Sequence, residues 1–194
     1  MALVLGLGNP GARYARTRHN VGWRVVEVLV ARWEAKAGEG APEYRSWRAE
    51  FGGRAVDLVT PLQFMNRSGE ALEARRASHG LDLGSLLVVA DDVYLPLGYV
   101  RLRGRGSSGG HKGLESIEAT LGTREFARLR VGVGEAESAV LREHVLEEPR
   151  KEERPALEEA IRLAADAVEC WLVEGLLDAM NRFNRKVRKE VPES

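Results

Sequence analysis

The sequence has 194 residues, of which 44% are hydrophobic and 30% charged, and its 29 basic and 29 acidic side chains give a formal net charge of zero. These proportions and this length are typical of a globular protein and exclude a disordered or fibrous chain, so we predict a single domain over residues 1–194. No apolar run approaches the roughly 20 residues that cross a bilayer, and the start lacks a signal peptide, which predicts a cytoplasmic protein with no membrane contact.

The predicted elements alternate between strands and helices. In the first half, apolar periodicity and turn residues predict a buried strand over residues 2–7 and a helix over 21–36. They then predict a hairpin of two strands over 45–51 and 54–60, followed by a second helix over 68–79. His19 would therefore lie just before the first helix. In the second half they predict strands over residues 86–90 and 99–103, a helix over 114–121 and a strand over 128–133. Two helices follow, over 154–174 and 176–189.

Together these elements predict an α/β fold in which a mixed sheet carries helices on both faces. The continuous apolar run over 86–90 indicates a central strand that delivers Asp91 at its carboxyl end, where open α/β sheets bind ligands. Residues 104–110 are predicted to form a flexible glycine-rich loop. Cys170 is the only cysteine and stands in an apolar helical stretch, which predicts a core residue rather than a catalytic thiol.

Zero net charge does not exclude a nucleic-acid partner, because binding depends on where the charges lie. Between residues 98 and 132, seven basic side chains stand against three acidic ones, and residues 181–189 hold five basic side chains and no acidic one. The first of these segments could face phosphates, and solvated ion-paired surfaces are the alternative.

Two glycine motifs suggest chemistry that other features oppose. Gly6, Gly8 and Gly11 have the spacing of a dinucleotide-binding loop, but Pro10 removes an N–H and no acidic residue ends a second strand, so we predict no nucleotide cofactor. Ser108 lies in a G-x-S-x-G pattern and could form a triad with His19 and Asp91, which leaves a serine esterase as an alternative.

A third group of residues favours hydrolysis by activated water. A neutral imidazole oriented by a carboxylate can take a proton from water near neutral pH, and His19 with Asp91 could form this pair. Asn9, Asn20 and Asn66 fall near the same predicted strand ends, where side-chain amides could orient a substrate or donate to an oxyanion. His111 could suggest a metal site with His19, but no short ligand spacing accompanies it, so we predict no metal.

At these residues the sequence closely resembles the bacterial-type peptidyl-tRNA hydrolases over almost its full length. The shared motifs are Gly6-Leu7-Gly8-Asn9-Pro10-Gly11, Tyr14, Thr17-Arg18-His19-Asn20, Phe64-Met65-Asn66-Arg67-Ser68-Gly69, Asp91 with Leu95-Pro96-Leu97-Gly98, Gly109-Gly110-His111-Lys112-Gly113-Leu114, and Arg128-Leu129-Arg130-Val131-Gly132. The resemblance implies a metal-free, monomeric esterase that acts on peptidyl-tRNA released prematurely from the ribosome and cleaves the bond between peptide and tRNA.

The resemblance also implies roles for individual residues. His19 would be the general base, Asp91 would hold it in the basic tautomer, and Asn66 and Asn9 would contact the water and the blocked acyl group. The residues expected to bind tRNA or substrate are Tyr14, Asn20, Phe64, Asn66, Lys112, Arg101, Arg103 and Arg130.

Lys112 departs from the family pattern, which has asparagine at this position. A lysine donates hydrogen bonds and meets phosphate as a point charge, but it cannot accept a hydrogen bond from an amide. This departure leaves a second alternative open, namely an RNA-binding relative that has lost turnover.

Overall fold

A computed structural model describes residues 1–134 and 141–184 of the chain. Seven strands form one sheet in the order β2-β3-β4-β1-β5-β7-β6. The strands are β1 Ala2–Gly6, β2 Lys36–Ala37, β3 Tyr44–Phe51, β4 Arg54–Pro61, β5 Leu86–Asp92, β6 Val100–Arg103 and β7 Ala127–Gly132. The helices are α1 Val21–Arg32, α2 Ser68–His79, α3 Lys112–Leu121, α4 Leu141–Leu146, α5 Arg154–Glu174 and α6 Leu176–Phe183.

The sheet is mixed. Strands β4, β1, β5 and β7 run parallel to one another, whereas β3 is antiparallel to both β2 and β4 at one edge and β6 is antiparallel to β7 at the other. The hairpin between β3 and β4 turns at Gly52 and Gly53, whose φ angles of 56° and 73° are the left-handed values that a tight two-residue turn requires.

Alternating residues of the central strand enter two different cores. All seven residues of β5 are buried. Leu86 and Val88 pack in the cluster that includes residues of α2 and α3, and Leu87 and Val89 pack in the cluster that includes residues of α1 and α5. This is why the strand reads as a continuous apolar run. The predicted α/β class, with helices on both faces of a mixed sheet, is confirmed.

A close approach of α1 to the sheet fixes the segment that carries His19. A Cβ atom at Gly22 would lie 2.5 Å from the carbonyl oxygen of Val89 and 2.6 Å from the backbone nitrogen of Leu7, so only glycine fits there. A short 3₁₀ helix, Arg18–Asn20, immediately precedes α1. The contact therefore places this 3₁₀ helix over the carboxyl ends of β1 and β5.

Several predicted boundaries differ from the structure. The first helix ends at Arg32 rather than at residue 36, because Glu34 takes a left-handed conformation with φ of 49° and Lys36–Ala37 pair with β3 as a short edge strand. Sequence periodicity also missed α4, which has only six residues. The predicted continuation of the last helix to residue 189, with most of its basic residues, lies outside the described residues.

The side chain of Asn184 occupies the outer edge of β6. Its Oδ1 accepts a hydrogen bond from the Leu102 backbone N–H at 2.7 Å, and its Nδ2 donates to the Leu102 carbonyl oxygen at 2.9 Å. A side-chain amide thus takes the place that a further strand would take.

In the part of the chain that the structure describes, no helix has the length and apolar character needed to cross a membrane.

Candidate active site

Asp91 is the centre of a buried cluster at the carboxyl end of β5. Its side chain is 2% exposed, and one oxygen, Oδ1, lies 2.7 Å from Nδ1 of His19 and 2.9 Å from Nε2 of His111. The pairing of His19 with Asp91 was predicted from the sequence, but the second histidine on the same carboxylate oxygen was not. The cluster therefore consists of one acid between two imidazoles.

The hydrogen bonds fix the tautomer of His111. Its Nδ1 caps the start of α3 by accepting hydrogen bonds from the backbone N–H groups of Gly113 at 3.1 Å and Leu114 at 3.2 Å. Because Nδ1 must present its lone pair to these donors, the proton is on Nε2, which donates to Asp91. His111 thus ties the first turn of α3 to the buried carboxylate.

The same reasoning leaves Nε2 of His19 as the free basic nitrogen. Oδ1 of Asp91 accepts from the protonated Nδ1 of His19, so the lone pair of the imidazole is on Nε2. Burial alone would lower the pKa of His19, but the charge and hydrogen bond of Asp91 outweigh burial and raise the pKa above its ordinary value. In these tautomers both imidazoles direct N–H groups at Asp91, and the lone pair of His19 is on Nε2.

Two positively polarised partners keep Asp91 ionised. Burial would raise the pKa of this carboxyl group, but the electrostatic attraction of the His19 and His111 rings and the hydrogen bonds that they donate outweigh burial and hold the pKa well below its usual range. The cluster therefore contains a permanent negative charge that can stabilise a proton gained by His19.

A cleft of about 660 Å³ opens beside this cluster. Its polar wall includes Asn9, His19, Asn66 and Asp91, and Lys112 lies at the start of α3 on the same cleft. The apolar part is lined by Tyr14, Phe64, Val93, Tyr94, Val145 and Leu146. The rings of Tyr14 and Phe64 meet edge to face with centroids 6.3 Å apart. A polar reacting group and an apolar chain can therefore be held side by side.

Asn9 presents a donor to the cleft because its acceptor is already used. Its Oδ1 accepts a hydrogen bond from the backbone N–H of Met65 at 2.8 Å, whereas its Nδ2 has no hydrogen-bond partner among the described residues. Asn66 is exposed on the neighbouring 3₁₀ helix, Met65–Arg67. Both predicted amides thus line the cleft, and the NH₂ group of Asn9 is its available end.

The structure corrects the expected role of Asn20. This residue is 1% exposed and lies beneath the cleft rather than on it. Its Oδ1 accepts from the backbone N–H of Asn9 at 2.8 Å and its Nδ2 donates to the Asn9 carbonyl at 2.9 Å. Asn20 therefore positions Asn9, and both ends of its buried amide are engaged by the Asn9 backbone.

Of the three predicted phosphate-binding arginines, only Arg130 lines the cleft. Its Nη2 donates to the carbonyl oxygens of Ser107 at 3.0 Å and Ser108 at 2.6 Å, which connects the glycine-rich loop of residues 104–110 to β7. In the register of β6 with β7, Arg101 lies opposite Arg130 and Arg103 lies opposite buried Arg128. All four side chains therefore lie on one face of the sheet edge. Of the two arginines on β6, Arg103 is exposed and Arg101 is half-buried.

The serine-esterase alternative is not supported by the position of Ser108. Ser108 lines a neighbouring groove with Glu115 and Glu118 instead of the cleft that contains His19. Its Oγ accepts a hydrogen bond from the backbone N–H of Gly110 at 3.3 Å. Among the described residues no hydrogen bond joins Ser108 to His19 or Asp91, so the structure gives the triad no support. Lys112, whose sequence departure suggested a silent relative, forms an exposed ion pair with Glu115 at 2.8 Å.

Replacement of His111 tests its double role in stability. His111→Ala removes both the cap of α3 and a donor to buried Asp91, whereas His111→Asn supplies one of the best capping side chains but is too short to reach Asp91. We expect His111→Asn to be more stable than His111→Ala by about 1 kcal/mol, the usual value of a helix cap. The measurement is the free energy of unfolding in urea; equal values for the two variants would show that capping by His111 does not contribute.

Comparison with known proteins identifies the family. The sequence model described as peptidyl-tRNA hydrolase matches residues 3–191. The chain is 41% identical to a peptidyl-tRNA hydrolase of Syntrophomonas wolfei over 95% of its own length and 100% of the relative, and 40% identical to that of Bacillus subtilis over 96% and 100%. A crystal structure of peptidyl-tRNA hydrolase from Acinetobacter baumannii superposes with a TM-score of 0.87 at 33% identity, covering 95% of this chain and 94% of the other. The chain therefore belongs to the peptidyl-tRNA hydrolase family.

Proposed function

We propose that this protein hydrolyses the ester bond between peptide and tRNA in peptidyl-tRNA with His19 as the general base that activates water. Membership of the family supports the reaction and the substrate. The observation that carries the assignment of the base is the hydrogen bond from Nδ1 of His19 to Asp91, which leaves Nε2 with a lone pair beside the cleft. The alternative of a silent RNA-binding relative has no comparable observation in its favour.

In this mechanism a water molecule lies between Nε2 of His19 and the carbonyl carbon of the ester. As water attacks, its proton passes to Nε2 and the carbonyl oxygen gains negative charge in a tetrahedral intermediate. The imidazolium is stabilised by ionised Asp91, and the same proton then passes to the ribose oxygen as the ester bond breaks. General-base help of this kind contributes about 10²–10⁴-fold, and positioning and oxyanion stabilisation supply the rest.

In the proposed complex, the amides, the aromatic rings and the cations each bind a different part of the substrate. Asn66 is proposed to contact the attacking water, and the NH₂ group of Asn9 to donate to the carbonyl of the peptide bond next to the ester. Tyr14 and Phe64 would bind the acyl chain. Phosphates would meet Lys112, Arg101, Arg103 and the part of Arg130 that faces the cleft.

The discrimination between blocked and free aminoacyl groups provides the direct test. We expect wild-type enzyme to release N-acetyl-leucine from tRNA and to leave leucyl-tRNA nearly uncut. Asn9→Asp keeps an oxygen for the Met65 N–H but replaces the donor by a charge that would attract a free ammonium group. Its kcat/KM for the blocked substrate should fall about tenfold, the value of one hydrogen bond, and its preference over the free substrate should shrink further.

The ratio of the two kcat/KM values is the quantity to measure, because a change in the basicity of His19 alters both values and cancels in the ratio. An unchanged ratio in Asn9→Asp would remove Asn9 from the recognition of the acyl group. A wild-type enzyme that cleaved neither substrate would contradict the proposed reaction itself.

The remaining features of the proposal concern the whole chain. We propose that residues 1–194 act as one domain, as a monomer without a metal or other cofactor, and in the cytoplasm. The family match from residue 3 to residue 191 supports the single domain. The cytoplasm is where translation produces the substrate.

A further inference from the structure

Arg18 is a buried cation next to His19 that the proposed mechanism does not use. Its side chain is 3% exposed. Nη1 donates to the carbonyl oxygens of His144 at 3.3 Å, Glu147 at 3.4 Å and Glu148 at 3.1 Å, and Nη2 donates to Oε2 of Glu153 at 2.6 Å. Four acceptors from one segment of the chain, residues 144–153, therefore converge on this guanidinium group.

The backbone makes the same connection. The backbone N–H of Arg18 donates to the carbonyl oxygen of Glu147 at 3.1 Å. Glu153 stands just before α5 and also accepts a hydrogen bond from the Arg150 backbone N–H at 2.7 Å. Burial would raise the pKa of Glu153, but the Arg150 N–H and the charge of Arg18 outweigh it and lower the pKa. The acceptor of the buried cation thus remains charged.

The segment held by Arg18 forms one wall of the cleft. Val145 and Leu146 line the cleft from this segment, and Tyr14 and Phe64 line the same cleft. The carbonyl groups bound by Arg18 belong to the end of α4 and the residues after it, so the guanidinium caps the negative end of this short helix. Since Arg18 and His19 are adjacent in one 3₁₀ helix, the wall and the basic nitrogen are fixed to the same rigid unit.

We propose that Arg18 is a positioning residue that holds Val145 and Leu146 against the cleft and thereby sets the affinity for substrates whose esterified amino acid has an apolar side chain. This inference rests on the proposed hydrolysis of peptidyl-tRNA. Removing the guanidinium frees the wall, so an apolar side chain loses part of its buried contact. An ester of glycine has no such side chain and makes no use of the wall.

The experiment compares N-acetyl-leucyl-tRNA with N-acetyl-glycyl-tRNA in wild type, Arg18→Lys and Leu146→Ala. A lysine keeps the positive charge for Glu153 but cannot reproduce the planar fork that reaches several carbonyl groups. We expect the KM of Arg18→Lys to rise about tenfold for the leucyl substrate and less than about twofold for the glycyl substrate, with kcat and the acid limb of the pH profile unchanged. Leu146→Ala should raise the KM for the leucyl substrate to a similar degree.

The double variant Arg18→Lys/Leu146→Ala decides whether Arg18 acts through the wall. If it does, the two effects on KM overlap and the double variant resembles either single variant. Additive effects, an equal loss on both substrates, or an unchanged KM in Arg18→Lys would each overturn the proposal. Thermal unfolding of each variant accompanies the kinetics, and if Arg18→Lys does not fold, the wall is tested with Glu153→Gln, which keeps an acceptor but removes its charge. Cleavage of the glycyl substrate by wild type separates failure of this inference from failure of the proposed function.

Discussion

Replacement of His19 by alanine is expected to lower kcat for N-acetyl-aminoacyl-tRNA by about 10²–10⁴-fold while the fold remains intact. Among the described residues, His19 is the group that pairs with a buried carboxylate and keeps a nitrogen beside the cleft, and the variant loses it. The imidazole of His111 cannot replace it, because its Nδ1 is occupied by the cap of α3 and its Nε2 by Asp91. Substrate binding depends mainly on other residues, so KM should change much less than kcat.

The measurement is single-turnover release of the acyl group with enzyme in excess. His79→Ala is the matched control, because His79 ends α2 and contacts Arg48 and Glu39, away from the cleft. This control should retain wild-type turnover. A circular dichroism spectrum and melting temperature close to wild type for His19→Ala would show that the fold is preserved. Undiminished release by His19→Ala would remove His19 from the role of base.

Asp91→Asn is expected to reduce the pH-independent maximum of kcat/KM by up to about 10⁴-fold, the scale known for neutralising the acid behind a catalytic histidine. The amide keeps the shape of the carboxylate but removes the charge that stabilises the imidazolium. If its NH₂ group faces His19, the imidazole must offer a lone pair at Nδ1, and its proton moves to Nε2. Nε2 then cannot accept a proton from water.

The pH profile of the same variant tests the electrostatic argument independently of the rate. Neutral His19 is the active form, so activity of wild type falls as the pH drops through the raised pKa of His19. In Asp91→Asn the charge that raises this pKa is gone while the burial that lowers it remains. The acid limb should therefore move to lower pH than in wild type.

Asp92→Asn is the matched comparison for this shift. Asp92 accepts a hydrogen bond from the Tyr94 backbone N–H at 2.8 Å and lies 3.5 Å from Nη1 of Arg130, but neither contact involves an imidazole. We expect a smaller displacement of its acid limb than in Asp91→Asn. An acid limb that stayed in place in Asp91→Asn would mean that His19 does not sense this carboxylate.

Predictions from the sequence succeeded where the predicted feature depends on one strand or helix alone. The apolar run over β5 predicted a strand buried on both faces, with Asp91 at its carboxyl end, because both features follow from the strand alone. The role of His111 could not be read in this way, since its contact with Asp91 depends on how α3 packs against the sheet. The cap was not evident either, because the helix was predicted from residue 114 whereas α3 begins at Lys112, and histidine is not among the side chains that usually cap helices.

Charge and polarity were less informative than periodicity. Asn20 and Arg130 were both expected to contact substrate, yet Asn20 is buried beneath Asn9 and most of the hydrogen bonds of Arg130 go to the glycine-rich loop of residues 104–110. A polar residue near a site can serve either the ligand or the backbone, and the choice depends on packing between distant segments. His144 shows the same limit, because its Nε2 is buried without a hydrogen-bond partner in the described part of the chain.

The hydrogen bonds of the Asn184 amide with β6 affect how copies of the protein can associate at high concentration. An uncovered outer strand offers its peptide groups to any extended segment, which is a common start of aggregation. Here the peptide groups of Leu102 on that side are already engaged within the same molecule. Pairing of two copies through the peptide groups of Leu102 therefore requires that Asn184, which follows α6, first releases them.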